Sequence, residues 1–169
     1  MADVTNVKVG ICDVFFNGVN LGHTKGGVEV SYEPEYHEVA VDAYGNTPVE
    51  KYLIGERLTA VVPLAEYTIA NLNKAIPQST LAGTNSRITI GAKAGKKATT
   101  DAAQLILHPV GATAAENDIV FYKAYVDSVV NLPHRNDEER LIEVTFIALL
   151  DETKTDGTYL GLIGDSSAA

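Results

Sequence analysis

The sequence predicts a mainly β protein: a β-sandwich or partly closed barrel with one flanking helix and a long projecting hairpin. Three observations carry this. Apolar and polar residues alternate through most of the 169 residues, which puts every second side chain on one face of a strand. Val, Ile, Thr, Tyr and Phe dominate those runs, the residues that fit a pleated, half-buried surface. One stretch alone, Leu64 to Ile76, changes to helical spacing.

The elements follow in chain order. Asp13-Val14-Phe15-Phe16 leads into Asn17-Gly18, the pair that a two-residue hairpin turn demands, and Val19 to His23 is the expected return strand. After Gly26-Gly27, Val28, Val30 and Tyr32 alternate with Glu29, Ser31 and Glu33. In the helical stretch Ala65, Ile69, Leu72 and Ile76 recur at intervals of four, three and four, with Pro63 ahead and Pro77 behind. That pattern predicts a helix over 64–76 with one apolar face, lying against a sheet. Strands are expected at Arg87–Ile90, Gln104–Leu107, Ile119–Val130 and Leu141–Leu150; in the last, Ile142, Val144, Phe146 and Ala148 share a face. The chain after Thr155, rich in Gly, Asp and Ser, reads as a loosely held tail over 156–169. The whole length fits one domain.

Composition narrows the function. Asp plus Glu is 22 against 13 Lys plus Arg, a formal net charge of -9. A chain this acidic is repelled by phosphate, which argues against a nucleic-acid reader. The one cysteine, Cys12, allows no intrachain disulfide and reads as a small buried hydrophobe. Met1 to Thr5 has neither the basic nor the apolar region of a secretory signal, and no apolar run approaches the roughly 20 residues of a membrane helix. His23, His37, His108 and His134 have no ligand spacing. Gly91 to Lys97 only faintly resembles a phosphate-binding loop, with its glycines one residue too close and Lys97 where Ser or Thr is needed. His134-Arg135-Asn136-Asp137 reads as a polar turn, and Asp151 to Gly157 lacks calcium-loop spacing. No catalytic residue, cofactor site or metal site is expected.

The segment from Glu29 to Glu50 is the most informative. It carries Glu29, Glu33, Glu35, Glu38, Asp42 and Glu50 and no Lys or Arg. Strand-favouring residues flank a turn at Gly45-Asn46, so the pattern predicts a hairpin over about 33–56. Arms of about ten residues reach roughly 33 Å, beyond a domain whose radius of gyration is near 15 Å. Val39, Val41, Val49 and Leu53 leave such an arm with apolar surface that needs a cover, and another copy of the chain supplies one by strand addition. Tyr32, Tyr36, Tyr44 and Tyr52 add amphipathic rings suited to subunit contacts, around Gly45 and Pro48 at the tip. The same pattern also fits a hairpin folded back over its own sheet. Four basic residues without an acid (Arg87, Lys93, Lys96 and Lys97) form a candidate contact for the acidic arm of a neighbour, or simply a solvated loop.

The runs Gly26-Gly27-Val28-Glu29-Val30-Ser31-Tyr32-Glu33-Pro34-Glu35-Tyr36, Val39-Ala40-Val41-Asp42-Ala43-Tyr44-Gly45-Asn46-Thr47-Pro48-Val49 and Asp13-Val14-Phe15-Phe16-Asn17-Gly18-Val19-Asn20-Leu21-Gly22 resemble tail tube proteins, the major tail proteins of tailed bacteriophages. The order of elements fits most of the chain, the wording only its first half. The resemblance implies two packed antiparallel sheets with one flanking helix. It implies rings, usually hexameric, stacked into a hollow tube in the virion tail, with the hairpin touching neighbouring rings and no catalytic site or cofactor. Assembly would take place in the bacterial cytoplasm. The implied partners are other copies of the chain, a tape measure protein, a tail terminator, baseplate or tail-tip proteins, and a sheath in contractile tails. DNA would pass through the lumen unbound, which asks for acidic or neutral walls. Glu29, Asp127 and Glu143 are the lumen-facing candidates, each also readable as a solvated outward carboxylate. Competing readings are a ring of a related injection or secretion machine, and a monomeric β-barrel that binds a small ligand.

Overall fold

A computed structural model describes residues 10–84, 86–92, 94–112, 115–134, 136 and 139–165. The described chain is mainly β, with two antiparallel sheets and one α-helix. Strand β1 (Cys12–Phe16) turns at Asn17-Gly18, both at positive φ (52° and 72°), into the short β2 (Val19–Asn20). The expected return strand ends at Asn20 rather than His23; beyond it Thr24 makes an isolated bridge to Leu64. Then come β3 (Glu29–Ala40) and β4 (Pro48–Leu64), the helix α1 (Ile69–Ala75), and a two-stranded sheet of β5 (Ser79–Ala82) and β6 (Arg87–Ile90). The large sheet is completed by β7 (Ala103–Pro109), β8 (Ile119–Val126), β9 (Ile142–Ala148) and β10 (Gly161–Ile163). Its order is β2-β1-β7-β8-β9-β4-β3, and β10 pairs with the first half of β8.

The large sheet curls over its own core. Strands β1 and β9 are three pairing steps apart, about 14 Å in a flat sheet. Yet the rings of Phe16 and Phe146 meet with centroids 5.0 Å apart. The arrangement is therefore sandwich-like, with opposite parts of one sheet facing each other. Alternation selects the inward set: Val14 and Phe16, Ala60, Val62 and Leu64, Leu105 and Leu107, and Ile142, Val144, Phe146 and Ala148 are all buried. Leu21 and the helix residues Leu72 and Ala75 close the open side.

Two further sequence expectations need correction, and β8 stops at Val126 rather than Val130. The helix spans Ile69–Ala75, not 64–76. Pro63 and Leu64 belong to β4, opposite Glu143 and Ile142, and the backbone N–H of Ala65 donates to His23 O. The Pro63 carbonyl accepts from Lys25 N–H, so the strand continues past a residue that has no donor of its own. Thr68 caps the helix, its hydroxyl accepting from Asn71 N–H at 3.1 Å, and Asn71 Nδ2 donates to the carbonyls of Leu21 and Glu66. The tail over 156–169 is likewise not loose throughout. Gly161 to Ile163 pair with β8, Tyr122 N–H donates to Leu160 O, and Leu160 packs on the core. A Cβ at Gly161 would collide with the Val120 carbonyl, so only glycine lets β10 approach this closely. Residues 166–169 lie outside the described residues.

Candidate assembly surface

The hairpin β3–β4 begins in the sheet and leaves it. Pairing runs from Glu29↔Val61 to Ala40↔Pro48, but β9 accompanies β4 only from Thr59 to Leu64. Among the described residues the part of β4 from Pro48 to Leu58 pairs with β3 alone, a span of about 33 Å at 3.3 Å per residue. At its tip Asp42–Tyr44 make one 3₁₀ turn, closed by Gly45 at φ 61°. Two irregularities leave Ile54 and Val49 without partners on β3, which sharpens the twist and roughens a long free edge.

This arm keeps apolar surface in the open. Tyr32, Tyr36, Val41, Tyr44, Val49, Tyr52, Leu53 and Ile54 are all exposed, Tyr44 at 67% and Ile54 at 60%. Tyr36 faces Leu53, while Val39 faces Glu50 and His37 faces Tyr52 on the other side. Among the described residues neither face has a cover within the protomer, and contiguous exposed apolar surface of this kind marks interaction sites in soluble proteins. Glu38 forms an ion pair with Lys51 at 2.5 Å, which holds the lysine's proton more firmly than usual. Tyr32 donates to Glu56 at 2.5 Å, and that bond pushes the phenol's pKa up. Glu33 stands opposite Arg57 and Glu35 opposite Gly55. Asp42, Pro48 and Glu50 are exposed.

Three of the four basic residues lie among the described ones and have different surroundings. Arg87 opens β6, and Lys97 lies exposed before a 3₁₀ turn over Ala98–Thr100. Lys96 is engaged inside its own protomer, by Asp101 at 2.6 Å and the Pro77 carbonyl at 2.9 Å. It pins the glycine loop to the turn after the helix. Lys93 lies outside the described residues.

The three candidate lumen acids share a face. Glu29 stands opposite Val61, Val61 opposite Thr145, and Glu143 opposite Pro63; Asp127 N–H donates to Thr145 O beside the inward pair Val126↔Phe146. All three therefore lie on the face away from the core, and all are exposed. Farther along that face His108 stands opposite Asp13, and its Nδ1 donates to Asp118 at 2.6 Å, which raises the imidazole pKa.

Cys12 is half-buried, and burial with the nearby Asp13 carboxylate pushes its thiol pKa up. Among the described residues no three His, Cys, Asp or Glu side chains converge as metal ligands. No described helix is long and apolar enough to cross a membrane. No protein-family model matches the chain, and no curated protein matches it.

Sequence reasoning missed two features of this surface. The hairpin partner β5, Ser79–Ala82, was bounded by Pro77 and Gly83 but is too short for alternation to mark. The basic stretch is also longer than Arg87 to Lys97. It starts at Lys74 on the helix, and no acid occurs from there to Thr100.

Proposed function

We propose that this chain is the structural subunit of a bacteriophage tail tube, assembling through copies of itself into stacked rings, usually of six, around a conduit for DNA. The observation that carries the reading is the arm over 33–56, among the described residues strand-paired only with itself and with exposed apolar side chains on both faces. An element of this kind is stable as part of an assembly, where a neighbour covers it. A contact between the arm and a different surface of the next copy is heterologous. Such contacts close into rings by rotation and extend into tubes by translation. The shared face of Glu29, Asp127 and Glu143 favours a lumen wall on that side of the sheet, because carboxylates repel the phosphates that must slide past. The resemblance of the first half of the sequence to tail tube proteins points the same way.

Electron microscopy of the purified chain tests the reading. Hollow stacked tubes are expected, and deleting 40–48 is expected to leave a folded protein that no longer stacks. Lone rings from the intact chain would replace the tube with a ring of a related injection machine. A stable monomer at high concentration would remove both.

A further inference from the structure

The strand registers fix where the arm points and what lies at the other end. Strand β8 rises from Ile119 to Val126; β1, on the far side of β7, runs in the same direction and ends at Phe16; β7 begins at Ala103 beside Ala124. Phe16, Ala103 and Val126 thus mark one end of the sheet. Strand β4 is antiparallel to β9, as β8 is, so it too runs towards this end. Leu64 lies level with Ile142, Thr59 with Ile147, and Ile147 with Tyr125. From Thr59 back to Pro48 the strand therefore travels towards the start of β8 and past it. The arm leaves at one end, and Phe16, Ala103 and Val126 mark the opposite end.

That opposite end holds a cleft of about 330 Å³ between the end of α1, the start of β5 and the turn before β7. Asn17, Asn73, Lys74, Ser79, Lys96 and Asp101 line it. Lys96 is neutralised by Asp101, whereas among the described residues Lys74 has only the Phe16 ring beneath it, 5.9 Å from the centroid. Beside the cleft the β5–β6 hairpin leaves Leu81 and Ile90 exposed, Ile90 at 72%, on the face whose Ile88 packs against the core.

The charges are matched. The stretch 74–100 carries Lys74, Arg87, Lys93, Lys96 and Lys97 and no acid. The arm over 33–56 carries six acids and one lysine. Each is five charges from neutrality, with opposite signs, in a chain that is otherwise acidic. The apolar groups match as well: Val41, Tyr44 and Val49 at the arm tip against Leu81 and Ile90.

We propose that this cleft and the adjoining β5–β6 hairpin are the receptor for the arm tip of a second copy. Asp42 and Glu50 meet Lys74 and Lys97, and Tyr44 lies on Leu81 and Ile90. Donor and receptor sit at opposite ends along the strands, so each contact adds a copy by translation in that direction. The contact is axial, between rings rather than within one. This rests on the self-assembly reading above and names the surface that reading leaves open.

Charge reversal on each side, then on both, tests the pairing. Asp42→Lys with Glu50→Lys, and separately Lys74→Glu with Lys97→Glu, are expected to cut the assembled fraction by about tenfold or more, since like charges brought together cost several kcal/mol. The four changes combined are expected to restore it. Circular dichroism of each variant selects folded protein, and Lys97→Glu alone serves if Lys74→Glu fails to fold. Tubes unaffected by either reversal, or folded combined protein that stays dispersed, would overturn the receptor while leaving the tube reading intact. Rescue of salt-sensitive dimers in a chain that never forms tubes would uphold the receptor and sink the tube.

Discussion

At the scale of single residues, His108 is the titrating group with the clearest consequence. Its Nδ1 donates to Asp118, which is itself almost fully buried, and Asp13 lies opposite on β1. The pair favours imidazolium, so the folded pKa stands above the ordinary 6.5. Protonation is then linked to folding: the stabilisation is complete below 6.5 and is lost as pH rises through the folded value. Thermal melts between roughly pH 5.5 and 8.5 should show a midpoint that falls across this interval. In Asp118→Asn the fall should flatten, because an amide cannot hold the extra proton on the ring. None of this was legible in the sequence, where His108 is one of four scattered histidines. Register alone sets it between two carboxylates that are 105 residues apart, Asp13 and Asp118. By contrast, Asn17-Gly18 announced its turn, because only residues tolerant of positive φ serve there, and φ is 52° and 72°.

At the scale of elements, the sequence was most reliable where pattern and geometry have one solution. Alternation put Ile142, Val144, Phe146 and Ala148 on one face, since period two admits no other grouping, and that face is the buried one. The helix start misled because Ala65 satisfies a helical spacing by coincidence while its backbone bonds to His23 as strand. The true start is chemical: Thr68 has extended backbone, φ -113° and ψ 154°, and accepts from Asn71 N–H. Thr68→Ala should therefore cost about 1 kcal/mol of stability, measured as a shift in the urea midpoint. A change to Ser, which keeps the oxygen, should cost far less. An equal loss for both would mean that methyl packing, not the cap, holds the helix start. Strand β10 escaped notice for a different reason. Three residues carry too little periodicity, and the decisive feature is the space that Gly161 leaves beside Val120.

At the scale of the molecule, core and arm are separate investments of sequence. Every fully buried apolar side chain among the described residues falls outside 33–56; Leu58, just below the arm, is the first of β4 to turn inward. Among the described residues the arm's strands bond only to each other, and water replaces such bonds at little net cost. An arm that serves the assembly should thus be removable without harm to the fold. Glu35 and Gly55 already stand opposite each other, so replacing 36–54 with Asn-Gly would close the ladder there with a two-residue turn. The shortened chain should unfold within about 0.5 kcal/mol of the parent, as substitutions away from core features do. Its urea slope should change little, since the slope follows the area exposed on unfolding and the arm is largely exposed already. A loss of several kcal/mol would instead mean that the arm is held by its own globule, as in a hairpin folded back over the sheet. The surface it offers to a second copy would then be smaller than the exposed side chains of 36–54 imply.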